Sequence, residues 1–187
     1  MQSNSEFITK AILDTQTTIR AIDVKIGAIL TGLLIPFTFL GRIWSHFNYI
    51  CTIEPKIIGL ILFFLFFILW ALSILCFARG LSAIDNPARH IVNSNKHKGM
   101  FYGGGMFEFS IPDSIFNRKE IKATKDVKSF LAEVPHTPDE INEELAFEQM
   151  KLIYIRDIKL YRLKTGVNLA LLWLVVGTTS FLISKLS

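Results

Sequence analysis

Residues 57–78 read IIGLILFFLFFILWALSILCFA, a run without a single charge. As an α-helix rising 1.5 Å per residue it is about 33 Å long, enough to cross a hydrocarbon layer of about 30 Å. It reads as a membrane span, and two further uncharged runs flank it in the sequence. Residues 165–184, TGVNLALLWLVVGTTSFLIS, suffice for another crossing. Residues 26–40, IGAILTGLLIPFTFL, are shorter, but Val24 and Gly41 lengthen the apolar helix and the stem of Lys25 can snorkel to the interface. The expected fold is an all-α membrane protein with three transmembrane helices, 26–41, 57–78 and 165–184, long helical cytoplasmic extensions and a small cytoplasmic helical module.

Composition agrees. Of 187 residues 51% are hydrophobic, 16 of them Phe, and only 19% are charged. With a mean hydropathy of +0.41, a soluble domain of this size has no solvent but water in which to hide so much apolar side chain. Collagen-like and disordered classes are excluded by the scattered 11 Gly and 6 Pro among plentiful large apolar residues. A cleaved signal is not expected for the first span, because Glu6, Asp14, Asp23, Lys10, Arg20 and Lys25 precede it and no small-x-small site follows.

The net charge of +4 is unevenly placed. Residues 1–25 carry three Lys or Arg, 42–56 carry two, 79–164 carry fourteen, and the tail carries only Lys185. The positive-inside rule then puts the N-terminus and residues 79–164 in the cytoplasm of a multi-pass inner-membrane protein, with 42–56 as an external loop and the C-terminus in the periplasm. Cys51 and Cys76, roughly 37 Å apart along a helix, are beyond disulfide reach. His46, His90, His97 and His136 have no metal-ligand spacing, so neither a metal nor a cofactor is expected.

Outside the spans the chain reads as helical extensions around a compact module. In residues 1–25, Phe7, Ile8, Ala11, Ile12, Thr15, Ile19 and Ile22 keep helical spacing, so the first span should continue a cytoplasmic amphipathic helix. Thr137, Pro138 and Glu140 form a capping-box signature, predicting a helix from Pro138 to Ser184 of about 70 Å. In the ligand or partner module, 79–164, Asn86, Pro87 and Asn93 mark turns, 107–111 alternates like a short strand, and Arg118 to Ala132 reads as an amphipathic helix.

No phosphate loop, nucleophile elbow or Cys–base pairing occurs, so the chain is not read as an enzyme. What it offers is cations. Arg156, Lys159 and Arg162 fall at i, i+3 and i+6, and Arg79, Arg89, Lys96 and Lys98 follow the second span. They serve either as plain anchors on the cytoplasmic side or as binders of phosphate. In the second case Phe101, Tyr102 and Phe107 could stack on bases. Asp23, beside Lys25 at the membrane boundary, needs a cation, with Lys25, Arg162 or Lys164 at similar depth, and gating is a further role for it. Thr31, Thr38, Asn168, Thr178 and Thr179 make the first and third spans the candidates to line a pore, whereas the Phe-rich second span suits an outer, lipid-facing place. Three helices enclose no pore alone, so conduction requires a homo-oligomer.

The string AIDVKIGAIL at 21–30 resembles the D-x-K-x-G signature opening the first membrane helix of Pycsar-type transmembrane effectors of bacterial antiphage defence. The second span running into ARGLSAIDNPARHI, the FYGGGMFEF segment and ELAFEQMKLIYIRDIKLYRLKTG entering the last span extend the resemblance over most of the chain. It marks Asp23, Lys25, Glu148, Lys151, Arg156 and Lys159 as family-like positions. The third span after the cytosolic region departs from some such effectors. The resemblance implies an oligomeric channel or membrane-disrupting effector answering a nucleotide or oligonucleotide made by a neighbouring nucleotidyltransferase or cyclase. Hailong-type channel effectors are a functional relative. A non-conducting membrane scaffold that recruits a soluble partner is the other reading.

Overall fold

The computed structural model describes residues 4–52, 56–82, 84, 86–94, 99 and 123–186. Among them there are helices and turns but no strand, and three helices are long and apolar enough to cross a membrane. The alternating 107–111 segment lies outside the described residues. Helix α1 covers Asn4–Leu34, α2 Leu40–Ile50, α3 Lys56–Leu81, α4 Val127–Glu133 and α5 Pro138–Leu186.

Local chemistry sets several of these boundaries. Pro36 has no N–H to give and its ring opposes α-pairing, so the chain tightens into a 3₁₀ turn over Ile35–Phe39 before α2 resumes the helix. α5 starts at the capping box the sequence predicts. The Glu140 N–H points to Thr137 Oγ1 at 3.3 Å, while its carboxylate accepts from the backbone N–H groups of His136 at 2.9 Å and Thr137 at 3.4 Å. The backbone N–H of His136 first, and that of Thr137 second, hold the Glu140 carboxyl below its ordinary value. From there α5 runs unbroken for 49 residues. α4 is shorter than the helix read over Arg118 to Ala132. Residues 123–126 are not helical, because the Asp126 carboxylate accepts from the Ser129 N–H at 2.7 Å and so places the helix start at Val127.

The chain divides into two units, Met1–Gln16 with Asp85–Tyr154, and Thr17–Ile84 with Ile155–Ser187. In the second unit, α1 and α2 lie antiparallel to α3. Ile26 meets Gly80, the Trp70 indole N–H donates to the Leu33 carbonyl at 2.9 Å, Phe47 packs on Phe63, Phe66 and Phe67, and Ile50 abuts Gly59. The turn to i−3 pairing frees carbonyls just before Pro36, and Trp70 satisfies one of them. At Gly59 only hydrogen fits, since a Cβ would stand 2.9 Å from the Ile50 carbonyl oxygen.

Residues 42–56, read as a loop, are therefore mostly helix: α2 continues the line of α1 beside α3. The place given to the second span is also corrected. α3 is the most enclosed of the three long helices, with Phe66, Trp70, Ser73 and Phe77 buried, and only its far side, including Ile61, Phe64 and Ile68, stays exposed. The reason is size matching. The Phe77 ring sits against Gly166 of α5, Phe66 approaches Gly177, and Trp70 stacks on Trp173 at 6.0 Å with 10° between planes.

The first unit takes the start of α1, the segment around Pro87–His90, α4 and the start of α5. Ile12 and Thr15 of α1 are buried, as are Leu145, Phe147 and Glu148 of α5. Phe7, expected on the packed face, is exposed. Gln149 Nε2 donates to Thr15 Oγ1 at 3.1 Å, and the His90 ring stacks on Tyr154 at 4.4 Å.

Candidate functional site

At one end of the three-helix unit, Asp23 of α1 accepts a charged hydrogen bond from Lys159 of α5 at 2.5 Å. Of the cations the sequence offers Asp23, none of Lys25, Arg162 and Lys164 is its partner; Lys159 is. Asp23 follows the buried Ile22 and so turns toward α5, whereas Lys25 and Lys164 are exposed. Arg162, one turn beyond Lys159, instead donates to the Arg79 carbonyl at 2.6 Å. That carbonyl lies in the last turn of α3, where helix carbonyls lack onward partners and favour a cation.

These contacts sort the phosphate candidates. Lys159 is buried and its charge is matched by Asp23, whereas Arg162, half-buried, ties α5 to the end of α3 through a neutral carbonyl. Arg156 binds the neighbouring Asp157 at 2.8 Å. Arg79 and Arg89 are exposed, Arg79 in the second unit and Arg89 in the first. Lys96, Lys98, Phe101, Tyr102 and Phe107 lie outside the described residues.

The five pore candidates share one placement. Thr31, Thr38, Asn168, Thr178 and Thr179 all lie on exposed faces, none between the helices of one chain. The four threonine hydroxyls bond to carbonyls of their own turn, as Thr31 does to Gly27 at 2.9 Å and Thr179 to Val175 at 2.8 Å. A hydroxyl satisfied in this way can face lipid, water or another helix without an unmet hydrogen bond.

In the first unit Glu148 is 1% exposed and accepts from Lys151 at 2.5 Å. Burial raises its carboxyl above the ordinary value, Lys151 pulls it back and the nearby Glu144 adds to the rise. In the sequence Glu148 stands just after Leu145 and Phe147, marked there only by the family resemblance and not as a buried carboxylate. A groove of about 460 Å³ in the same unit is lined by Ser5, Thr9, Val134, Pro135, Ile141, Glu144 and Leu145. Among these described residues there is no Lys or Arg. Sequence reading missed one further group, the exposed Arg42, Ser45 and Asn48 of α2, because a loop assignment hides their common face. No family model matches the chain, and neither a curated protein nor a solved structure matches it.

Proposed function

We propose that the protein is a multi-pass membrane effector whose copies assemble into an ion channel or membrane-disrupting complex under control of a nucleotide or oligonucleotide signal, as in the Pycsar-type effectors it resembles. The outward placement of the polar residues on α1 and α5 carries this reading. Thr31, Asn168, Thr178 and Thr179 are directed away from their own bundle, and a shared, wetted boundary between copies is where such a stripe is useful. The charge distribution supports a cytoplasmic N-terminus and module, a periplasmic C-terminus and an inner-membrane location. In this reading the chain is not an enzyme and needs no cofactor; the signal comes from a neighbouring nucleotidyltransferase or cyclase.

Of the phosphate candidates among the described residues, Arg79 and Arg89 are the exposed ones and so the best placed to meet an anionic signal, whereas Lys159 is held in its pair with Asp23. Ion flux from liposomes holding the purified protein, measured with and without cyclic nucleotides and short oligonucleotides, tests the proposal. Flux that a nucleotide changes supports it, and absence of flux under every condition leaves the non-conducting scaffold. Reversing Arg79 or Arg89 should weaken the nucleotide response while leaving basal flux in place.

A further inference from the structure

Arg42 stands in an unexpected place. On α2 it falls between Phe37, whose ring lies 4.5 Å from Trp70, and Phe47, whose ring lies 5.1 Å from Phe66. Trp44, two residues on, meets Phe63 at 5.4 Å, and Leu40, Gly41 and Trp44 share a cleft with Phe63 and Phe67, so its level on α3 is near residues 63–67, two to three turns inside a 26-residue helix. From α2 itself, Arg42 is nine positions short of Cys51, roughly 14 Å of helix below the α2–α3 turn.

α2 cannot be lifted out of the membrane to relieve this. It lies along the first turns of α3, whose Ile57, Ile58, Leu60, Ile61, Phe64 and Leu65 are exposed and uniformly apolar. A bilayer that covers those residues covers Arg42 too. Nor does the side chain climb outward. Helical side chains lean toward the N-terminus, and the guanidinium sits 5.8 Å over the ring of Phe39, one turn deeper. Arg42 is exposed, and no described residue forms an ion pair with it.

The face it belongs to is polar as well. Arg42, Ser45 and Asn48 recur at three-residue steps and are exposed, while Phe47 and Ile50 turn inward onto α3. A second copy supplies no counter-charge, because residues 24–53, 55–84 and 158–187 contain neither Asp nor Glu. An uncompensated guanidinium at this depth requires water, and one bundle of three helices encloses none.

We propose that α2 lines a water-filled path enclosed by several copies of this chain, with Arg42 as a ring of cations near its middle that favours anions. This rests on the membrane reading above but assigns the lining to α2 rather than to the polar residues of α1 and α5. The test uses the full chain in liposomes with Cys51→Ser and Cys76→Ala as background. Arg42→Cys, and Ser45→Cys as the milder probe one turn on, are exposed to a membrane-impermeant anionic methanethiosulfonate, with Ile68→Cys at a similar depth on the exposed side of α3 as control. The expected result is modification of either α2 position at least about tenfold faster than Ile68→Cys. Ser45→Cys unreactive, or no faster than Ile68→Cys, overturns the proposal. Reversal potentials in a KCl gradient give a second readout: Arg42→Glu should move the native value from the chloride side toward the potassium side, and an unmoved value refutes the role of Arg42. Fast labelling with no conductance would sink the channel reading while leaving α2 in contact with water.

Discussion

Breaking the Asp23–Lys159 pair from each side should give unequal losses, and the inequality follows from burial. The Lys159 side chain is 9% exposed and Asp23 is 37% exposed, with 2.5 Å between Nζ and Oδ1. Asp23→Asn leaves an ammonium shut away from water without a counter-charge, a loss of about 3 kcal/mol, at the lower edge for breaking a buried pair. Lys159→Met leaves a carboxylate that water reaches, and removes a buried charge, so about 1 kcal/mol is expected. For a chain of this length each kcal/mol moves the melting temperature by roughly 2–4 °C. Asp23→Asn should therefore melt roughly 6–12 °C below the native protein and Lys159→Met only roughly 2–4 °C below, in detergent and followed by intrinsic fluorescence. The double variant should recover most of the Asp23→Asn loss, because two neutral groups replace an orphaned charge. Equal losses, a larger loss for Lys159→Met, or simple additivity would refute the assignment of Lys159 as the enclosed partner.

Four further outcomes can be checked in the same assay. Gly166→Ala should lower stability by about 1–3 kcal/mol, since its Cβ would come within 2.8 Å of the fully buried Phe77 ring. Gly32→Ala, with nothing within 4 Å of the new Cβ, should instead raise it by about 0.5–1 kcal/mol. Trp70→Phe removes the hydrogen bond to the Leu33 carbonyl and should cost about 1–3 kcal/mol; an unchanged melting temperature would mean another donor has taken it. Glu148 gives a pH dependence. Its folded carboxyl holds a proton to higher pH than the unfolded chain, whose value is 4.5. Its stabilising contribution is thus complete below that value and is lost as pH climbs through the raised one. Glu148→Gln should flatten this fall in melting temperature, and an unaltered slope would show that Glu148 is not its source.

The long helices were legible because they depend on local signals. The charge-free run 57–78, the capping box at Thr137 and Pro138, and the spacing of Ile12, Thr15 and Ile22 each set an element or a buried face by short-range chemistry. The partner of Asp23 was not legible. Lys25 stands within a few residues of Asp23, and Arg162 and Lys164 within a few of Lys159; the choice of Lys159 turns on the rotation and register of α1 against α5, which no local pattern records. Likewise the Phe-rich second helix looks lipid-facing by composition. Two of its rings, Phe66 and Phe77, are enclosed because Gly177 and Gly166 on a helix far along the chain leave room for them, while Phe64 stays exposed.

α2 shows the same division. The sequence by itself determined that three long apolar helices exist and where the last of them starts, since hydropathy and capping chemistry act at their own positions; the break at Pro36 emerged only in the structure. Only the tertiary structure decided that Leu40–Ile50 form a helix packed along the first half of α3, which moves Arg42 from a loop to the exposed face of a helix. Packing across a hairpin depends on how two helix faces fit, and that fit is a property of pairs of residues distant in the chain.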